Sequence, residues 1–258
     1  MRFSPEAYAK SIVASVQEYS VLCARAIANI FSKPRYIADT FTQMDSIGVG
    51  SLPIVVLTGF FTGCVLALQA ATTLKAFGAV NMTGRLVALS MVKELGPVLT
   101  GLMVSGRNAS GMASELGSMK VSEQIDAMRA LGTDPIRKLV TPRLVATVFM
   151  LFFLTIISDA CGIAGGAFVS VTLLKLNAGT FFHTGYMSLE HGDVVEGLVK
   201  PIFSGFIIAT IGCYYGLKTT GGTRGVGKST TQAVVASSVI IILVDFLVTQ
   251  AMIGLFGR

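Results

Sequence analysis

Two charged residues that could take part in chemistry, Lys93 and Glu94, stand side by side in an apolar stretch that continues to Ala113. Lys93 lies eight residues beyond Arg85, which in a helix is about 12 Å below the outer surface of a bilayer. Charges at that depth face a cavity or a partner, because an isolated charge in hydrocarbon is costly. The pair therefore indicates either a contact with a lipid headgroup or a buried ion pair, with Asp159 or Asp245 as the partner.

A second pattern is typical of phosphate binding. Residues 222–229 read GTRGVGKS and match GxxxxGK[ST], the P-loop pattern. A P-loop needs a strand of an α/β sheet to deliver its glycines to a helix N-terminus that faces the nucleotide. Here apolar runs of membrane length flank the pattern, at residues 203–217 and 234–247. We therefore expect a basic turn between two membrane spans, with no nucleotide bound.

Metal and covalent chemistry find little support in the sequence. The four cysteines lie far apart, mostly inside apolar runs and without CxxC spacing: Cys23, Cys64, Cys161 and Cys213. Only His183 and His191 could assist a metal site, and no GxSxG motif occurs. We expect packing roles for the cysteines, no metal, and no enzymatic activity in this chain.

A charge-rich patch follows the apolar stretch at residues 115–131. Val121, Ile125 and Met128 form its one apolar face, Ser122 is a suitable cap, and Gly132 a suitable stop. The pattern predicts a helix at an aqueous surface, which either docks on a partner or lies in the membrane interface without one.

The composition is that of an integral membrane protein. Of 258 residues, 52% are hydrophobic and 13% charged, whereas soluble domains carry about 25% charged residues. The sequence predicts an all-α integral membrane protein with five spans, near residues 51–74, 86–113, 144–174, 198–217 and 232–256. Gly59 and Gly63 form a GxxxG pattern, which favours close helix approach in the first span.

The N-terminal region predicts an amphipathic helix over residues 4–31, with Ser4 as its cap. Its apolar residues recur every three or four positions: Tyr8, Ile12, Val16, Tyr19, Cys23, Ala26 and Ile30. Such a helix lies in the membrane interface or packs on a soluble partner. We divide the single domain, residues 1–258, into an interfacial region (1–45) and a five-span core (46–258).

The basic residues predict the orientation. Thirteen lysines and arginines fall in the N-terminal region, the central patch and residues 218–228, against five on the opposite side. Positive loops stay in the cytoplasm, so we expect a cytoplasmic N-terminus and, after five spans, a C-terminus on the outer side of the membrane. This distribution explains the net charge of +6 better than nucleic-acid binding does.

Particular motifs make the sequence similar to one family. They are Glu94-Leu95-Gly96-Pro97, Gly106-Arg107, Glu115 to Met119, Glu123 to Ala127, Asp134-Pro135, Pro142-Arg143, Gly225 to Gly227, Thr230 to Val235, and Asp245. Over roughly residues 45–255 the chain resembles the MlaE family, permease subunits of bacterial ABC transporters that move lipids together with MCE-domain proteins.

The resemblance implies a homodimeric, multi-pass permease of the bacterial inner membrane, with its C-terminus in the periplasm, that moves phospholipid or a related lipid. It implies partners as well: an ABC ATPase subunit that hydrolyses the ATP, an MCE-protein ring, and a small STAS-type regulatory subunit on the ATPase. The permease itself would need no cofactor. Phospholipid is the commonest substrate among such relatives, and neither lipid class nor direction of transport follows from the residues.

Two groups of functional residues follow from the resemblance. We expect a lipid cavity lined by Lys93, Glu94, Gln69, Leu66, Leu74 and Phe77. We expect the charge-rich patch to be the coupling helix that docks in the ATPase, through Glu115, Met119, Val121, Glu123, Ile125, Asp126, Met128 and Arg129.

Two rival functions remain from the residues alone. An ion-coupled secondary transporter of a lipophilic substrate would use Glu94, Asp159 or Asp245, and internal repeats, which the sequence does not show, would favour it. A scaffold of a lipid-transfer assembly would have no cavity.

Overall fold

The computed structural model describes residues 5–34 and 36–256, which form helices joined by short turns and contain no strand. The α-helices in this part of the chain are α1 Pro5–Phe31, α2 Ile37–Lys75, α3 Thr83–Ser90, α4 Gly96–Val104, α5 Ser110–Val121, α6 Gln124–Ala130, α7 Thr141–Thr172, α8 Ala178–Ser188, α9 His191–Leu217 and α10 Gly222–Phe256. A 3-10 turn, Val80–Met82, precedes α3, and π-helical turns lie at Met91–Leu95, Ser105–Ala109 and Ile136–Val140. The predicted all-α fold is confirmed.

Five helical stretches are long and apolar enough to cross a membrane, as predicted: Ile37–Lys75, Val80–Val121, Ile136–Thr172, His191–Leu217 and Gly222–Gly254. Each is longer than its predicted span because the helix continues past the apolar segment into polar sequence. The second span, for example, runs unbroken through α3, α4 and α5 because two π turns join them.

Glycines let the first and third spans approach closely. A Cβ at Gly59 would lie 2.7 Å from the Ser158 carbonyl oxygen, and one at Gly63 would collide with the Gly162 carbonyl group. In the other direction, a Cβ at Gly165 would collide with the Phe60 carbonyl group. Backbone therefore meets backbone between α2 and α7, which confirms the close approach expected of the GxxxG pattern.

Helix α1 packs its apolar face on this same chain. Leu22 and Ala26 are buried, the Tyr19 hydroxyl lies 2.7 Å from the Thr210 hydroxyl of α9, and Glu18 pairs with Lys218 at 2.6 Å. Tyr19 and Ala26 of the predicted stripe thus pack on the bundle, whereas Val16 is 58% exposed. The predicted cap, Ser4, and the side chains of Tyr8 and Ile12 lie outside the described residues.

Residues 175–196, which separate the third and fourth predicted spans, hold the short helix α8 and the start of α9. The Asn177 side chain accepts a hydrogen bond from the Gly179 N–H at 2.7 Å and caps α8. Phe181 of that helix is buried in one core cluster with Val87 of α3. Because α8 is short and almost uncharged, its sequence has no clear helical periodicity. Packing against α3 stabilises the helix.

The connections of the five spans define two ends of the bundle. Residues 122–135 and 218–221 lie at one end, which we call the basic end, and α1 docks on the bundle there. Residues 76–79 and 173–190 lie at the opposite end.

Candidate functional site

Lys93 lies in the π turn of the second span and pairs with the start of α9. Its Nζ donates to Asp193 Oδ1 at 2.9 Å and lies 3.2 Å from Glu196 Oε2. The Glu196 side chain is 6% exposed, whereas Lys93 keeps 32% of its side-chain surface exposed. The ammonium group is thus held by two carboxylates while one side of it stays accessible.

Lys200 of α9 is a buried lysine that connects its own helix with the π turn and with α10. Its Nζ lies 2.6 Å from Glu94 Oε2 and 3.6 Å from Asp245 Oδ1 of α10, and it donates to the Lys93 carbonyl oxygen at 2.7 Å. The Lys200 side chain is only 1% exposed. A buried ammonium group is stable only when carboxylates and carbonyl groups satisfy it, so these contacts fix the π turn against α9 and α10.

The π turn explains how neighbouring residues Lys93 and Glu94 both reach α9. A π turn widens the helix by one residue and redirects its side chains, and such turns are frequent at functional sites. Gly197 allows the approach, because a Cβ there would collide with the Val92 carbonyl group. A Cβ at Gly96 would likewise collide with the Asp159 carboxylate of α7.

The observed ion pairs differ from those expected for Lys93 and Glu94. Asp245 does belong to the group, although through Lys200, and Lys93 pairs instead with Asp193 and Glu196. Asp159 forms no ion pair among the described residues, and its Oδ1 is buried without a hydrogen-bond partner there. Sequence reasoning missed Asp193, Glu196 and Lys200. The i, i+4 spacing of Glu196 and Lys200 at the start of an apolar run was the available signal.

A polar cleft of about 170 Å³ opens beside Lys93, lined by Glu190, Gly192, Asp193, Glu196, Met252 and Ile253. In this charged group, which we call the outer network, the two ammonium groups of Lys93 and Lys200 face four carboxylates, those of Glu94, Asp193, Glu196 and Asp245. The network is therefore formally acidic, and its one accessible cation is at the cleft.

An apolar groove of about 330 Å³ lies beside the π turn. It is lined by Phe61, Thr62, Val65, Leu66, Gln69 and Leu95. Predicted residues Leu66 and Gln69 thus meet Leu95, the residue that follows Glu94. Leu74 and Phe77 do not line this groove, and Phe77 is 80% exposed in the turn after α2.

The charge-rich patch at the basic end consists of two helices where one was predicted. Helix α5 ends at Val121, and Glu123 takes a left-handed conformation with φ of 59° before α6 begins. Ser122 does not cap α6, because its hydroxyl donates back to the Ser118 carbonyl oxygen at 2.8 Å. The residues expected to contact an ATPase therefore lie on both sides of a sharp turn.

The apolar face of this patch points inward. Ile125 is fully buried in a core cluster with Leu116, Leu139 and Val140 of this chain, and Met119 and Met128 pack against the same cluster. Ile125 therefore has no exposed surface to offer a partner. It was expected on the docking face, and in the structure it lies beneath that face. Two large apolar side chains are exposed here: Val121 at the turn is 40% exposed, and Leu131 directly after α6 is 83% exposed.

Charged side chains form the outer face of the patch. Asp126 accepts hydrogen bonds from Lys120 at 2.7 Å and from Arg129 at 3.0 Å. The hydrogen bond from Lys120 is the main reason why the pKa of Asp126 lies below its usual range. Glu115 pairs with Arg143 of α7 at 2.8 Å, and the Arg143 side chain is 4% exposed, so this pair ties the second span to the third.

Residues 222–229 form the first turns of α10. A P-loop presents its glycines as a loop after a strand, and here α9 and the short turn at 218–221 precede the pattern instead. Among the described residues, no group of His, Cys, Asp and Glu has the arrangement of a metal site.

Comparison with known proteins adds independent information. A family model described as "Permease MlaE" matches residues 40–251. The "Probable ABC transporter permease protein" of Rickettsia bellii (strain RML369-C) is 42% identical over 236 residues, 92% of this chain and 91% of that protein. The "Protein TRIGALACTOSYLDIACYLGLYCEROL 1, chloroplastic" of Arabidopsis thaliana is 35% identical over 230 residues, 89% of this chain and 66% of that protein. The "Intermembrane phospholipid transport system permease protein MlaE" of Haemophilus influenzae is 36% identical over 213 residues, 82% of each chain.

Proposed function

The chain belongs to the MlaE permease family, and we propose that it is the membrane subunit through which an ATP-driven transporter moves phospholipid. The observation that carries this proposal is the junction at the second-span π turn. Leu95 lines an apolar groove, and Glu94 and Lys93, directly before it, belong to the outer network. Phospholipids combine apolar chains with a charged headgroup, and the two halves of this junction match that chemistry.

The groove and the cleft have different tasks in this proposal. An acyl chain lies along Leu66 and Leu95, which keep it out of water; exposing its apolar surface to water would cost about 25 cal/mol per Å². Lys93 offers its accessible ammonium group to the headgroup phosphate while Asp193 and Glu196 hold it in place. The carboxylates of the same network suit the ammonium group of a zwitterionic headgroup, since opposite charges attract at such short range.

Energy enters, in this proposal, at the basic end. A separate ABC ATPase subunit docks on the α5–α6 turn through Val121, Glu123, Asp126 and Arg129, and Ile125 supports that turn from below. Ile125 shares its buried cluster with Leu139 and Val140 at the start of the third span. A push on α6 therefore reaches the spans through packed side chains.

The remaining partners follow from the family. We propose a homodimer in the inner membrane of a bacterium, an MCE-protein ring at the opposite end, and a STAS-type subunit on the ATPase. The basic end would face the cytoplasm because positive residues concentrate there. Nucleotide would bind only to the ATPase subunit, so the isolated chain should not be labelled by a photoreactive ATP analogue, with or without Lys228→Ala.

One observation favours a second candidate, an ion-coupled transporter. The Asp159 Oδ1 atom is buried without a hydrogen-bond partner among the described residues, as a proton-carrying carboxyl group would be. Transport that continues without ATP and stops when a proton gradient is collapsed would support it.

The proposed function is tested by filling the groove. The complex with its ATPase and MCE partners is reconstituted in vesicles, and transfer of a fluorescent phospholipid is followed with and without ATP. Leu66→Trp should abolish transfer while ATPase binding is retained. Leu68→Trp is the matched control. Leu68 lies two residues further along the same helix and therefore on its other side, where it is 40% exposed and does not line the groove. Equal transfer by both variants would contradict the proposal.

A further inference from the structure

A second apolar groove lies at the basic end, where α1, α2 and the third span meet. Its volume is about 390 Å³, and its apolar lining includes Ile30, Ile37, Phe41, Met44 and Val145. Phe41 is 67% exposed and Ile37 is 58% exposed, so the groove opens outward on the side of the bundle. The outer network lies near the opposite end of the spans, so this groove is a different site.

The rim of the groove is basic. Arg137 lines it, and the Lys138 Nζ next in sequence lies 5.7 Å from the centre of the Tyr36 ring, which also lines it. No Asp or Glu belongs to the described lining. Two acids lie close in sequence: Asp39 is exposed in the first turn of α2 and does not line the groove, and Asp134 is engaged as a turn cap, since its Oδ1 accepts from the Ile136 N–H at 2.9 Å.

Arg137 has hydrogen-bonding capacity left over. Its Nη1 donates to the Lys33 carbonyl oxygen at 2.8 Å, whereas its Nε is buried and has no hydrogen-bond partner among the described residues. A buried, unsatisfied guanidinium donor is costly, and an anionic oxygen is the partner that it suits best. The N-terminus of α2 opens beside it at Ile37 without a side-chain cap, and such a helix end also favours anions.

We propose that this groove binds an anionic glycerophospholipid from the membrane leaflet at the basic end. The phosphate lies between Arg137, Lys138 and the N-terminus of α2, and an acyl chain lies against Phe41, Met44 and Val145. Basic pockets between membrane helices select anionic headgroups in this way. The bound lipid connects α1, α2 and the π turn at Ile136–Val140, so it stabilises the seat of α1 on the bundle. The proposal does not depend on which lipid is transported.

The test measures lipid retention by the intact chain. Native mass spectrometry follows dioleoyl-phosphatidylglycerol against dioleoyl-phosphatidylcholine on the purified protein. The wild type should prefer the anionic lipid, and Lys138→Gln should weaken that preference about fivefold, as expected for loss of one basic residue near the phosphate. Arg137→Gln should act in the same direction, and Arg137→Lys should restore part of the preference.

Matched variants separate the alternatives. Arg129→Gln removes an exposed arginine that pairs with Asp126 and lies outside the groove, and it should leave the preference unchanged. Val145→Trp should reduce retention of the anionic lipid by filling the chain site, and soluble glycerophosphoglycerol should not compete because it has no chains. Variants are compared only when their unfolding midpoints match the wild type.

Three results would overturn the proposal. The first is an equal effect of Lys138→Gln and Arg129→Gln, which would make the attraction nonspecific. The second is competition by glycerophosphoglycerol alone, which would make the site one for free phosphate. The third is an unchanged lipid preference in Val145→Trp together with loss of a partner's membrane helix from the complex, which would make the groove a protein docking site.

Discussion

The two ends of the bundle use the same residue types to opposite effect. In the outer network, Lys200 is 1% exposed and contacts carboxylates from the π turn and α10. At the basic end, Asp126 is 47% exposed and pairs with Lys120 and Arg129 on the surface. Removing a buried charge leaves its partners unpaired in a medium that solvates them poorly, whereas water replaces the partner of an exposed charge. The first group therefore fixes structure, and the second is free to change partners.

The contrast fits the two tasks proposed for the ends. A lipid site needs fixed geometry around the headgroup, and the outer network supplies it with ion pairs to α9 and α10. A docking surface must exchange its own ion pairs for those of a partner, and the surface pairs around Asp126 can do so at small cost.

The largest expected effect comes from breaking the outer network at its centre. Lys200→Met would leave Glu94, Glu196 and Asp245 without their shared cation, and loss of one member of a buried pair costs about 3–5 kcal/mol. Denaturant unfolding of the purified protein in detergent should show it. Lys218→Met is the control, because it breaks an exposed pair with Glu18 and surface contacts with Tyr214, none of which involves a buried charge. Similar stability of the two variants would mean that the network is not structurally important.

The second largest effect is expected from removal of a buried side chain beneath the α5–α6 turn. Ile125→Ala should lower the free energy of unfolding by about 2–5 kcal/mol, because it leaves a cavity in the cluster around Leu116 and Leu139. Val121→Ala, at a 40% exposed position, should barely change stability but should weaken ATPase binding. If Ile125→Ala instead kept normal stability and lost only the ATPase, Ile125 would be a contact residue after all.

Substitution of Lys93 should lower stability less than the two changes above but should clearly reduce phospholipid transfer. Lys93→Gln removes the cation from Asp193 and Glu196, but the side chain is 32% exposed, so water compensates part of the loss. We expect a cost of about 1–2 kcal/mol, below that of a fully buried pair, together with a clear loss of phospholipid transfer. Lys93→Arg should retain transfer. Equal loss of both properties would show that Lys93 is only a structural residue.

The comparison also shows which features the sequence could predict. Five spans and the helical fold follow from hydropathy, because membrane crossing depends on the length and apolarity of a segment. The partners of Lys93 do not follow, because Asp193 and Glu196 lie a hundred residues away and α9 begins earlier than its apolar run. Three-dimensional packing, together with the π turn at Met91–Leu95, decides those contacts.

The patch at residues 115–131 shows a different limit. Periodicity predicted one apolar face for Val121, Ile125 and Met128, but only Ile125 and Met128 share a core cluster, and Val121 is exposed. An apolar stripe does not say which neighbour covers it. The chain turns sharply at Glu123, and the turn directs Ile125 into the core. Nothing in the residue types signalled a left-handed glutamate, since most residues avoid that conformation.

The smallest expected effect tests the exposed pairs directly. Asp126→Asn removes the carboxylate that accepts hydrogen bonds from Lys120 and Arg129. Since these pairs lower the pKa of Asp126 in the folded protein, the stability that they contribute is present above the unfolded pKa of about 3.9. It is lost as the pH falls through the lower folded pKa. The free energies of unfolding of wild type and Asp126→Asn should therefore differ slightly and by a constant amount near neutral pH, and converge in acid.

Since salt screens exposed charges, 1 M NaCl should remove most of the difference at pH 7. A difference that persists in high salt would show that Asp126 is held as firmly as the outer network, and the contrast between the two ends would fail.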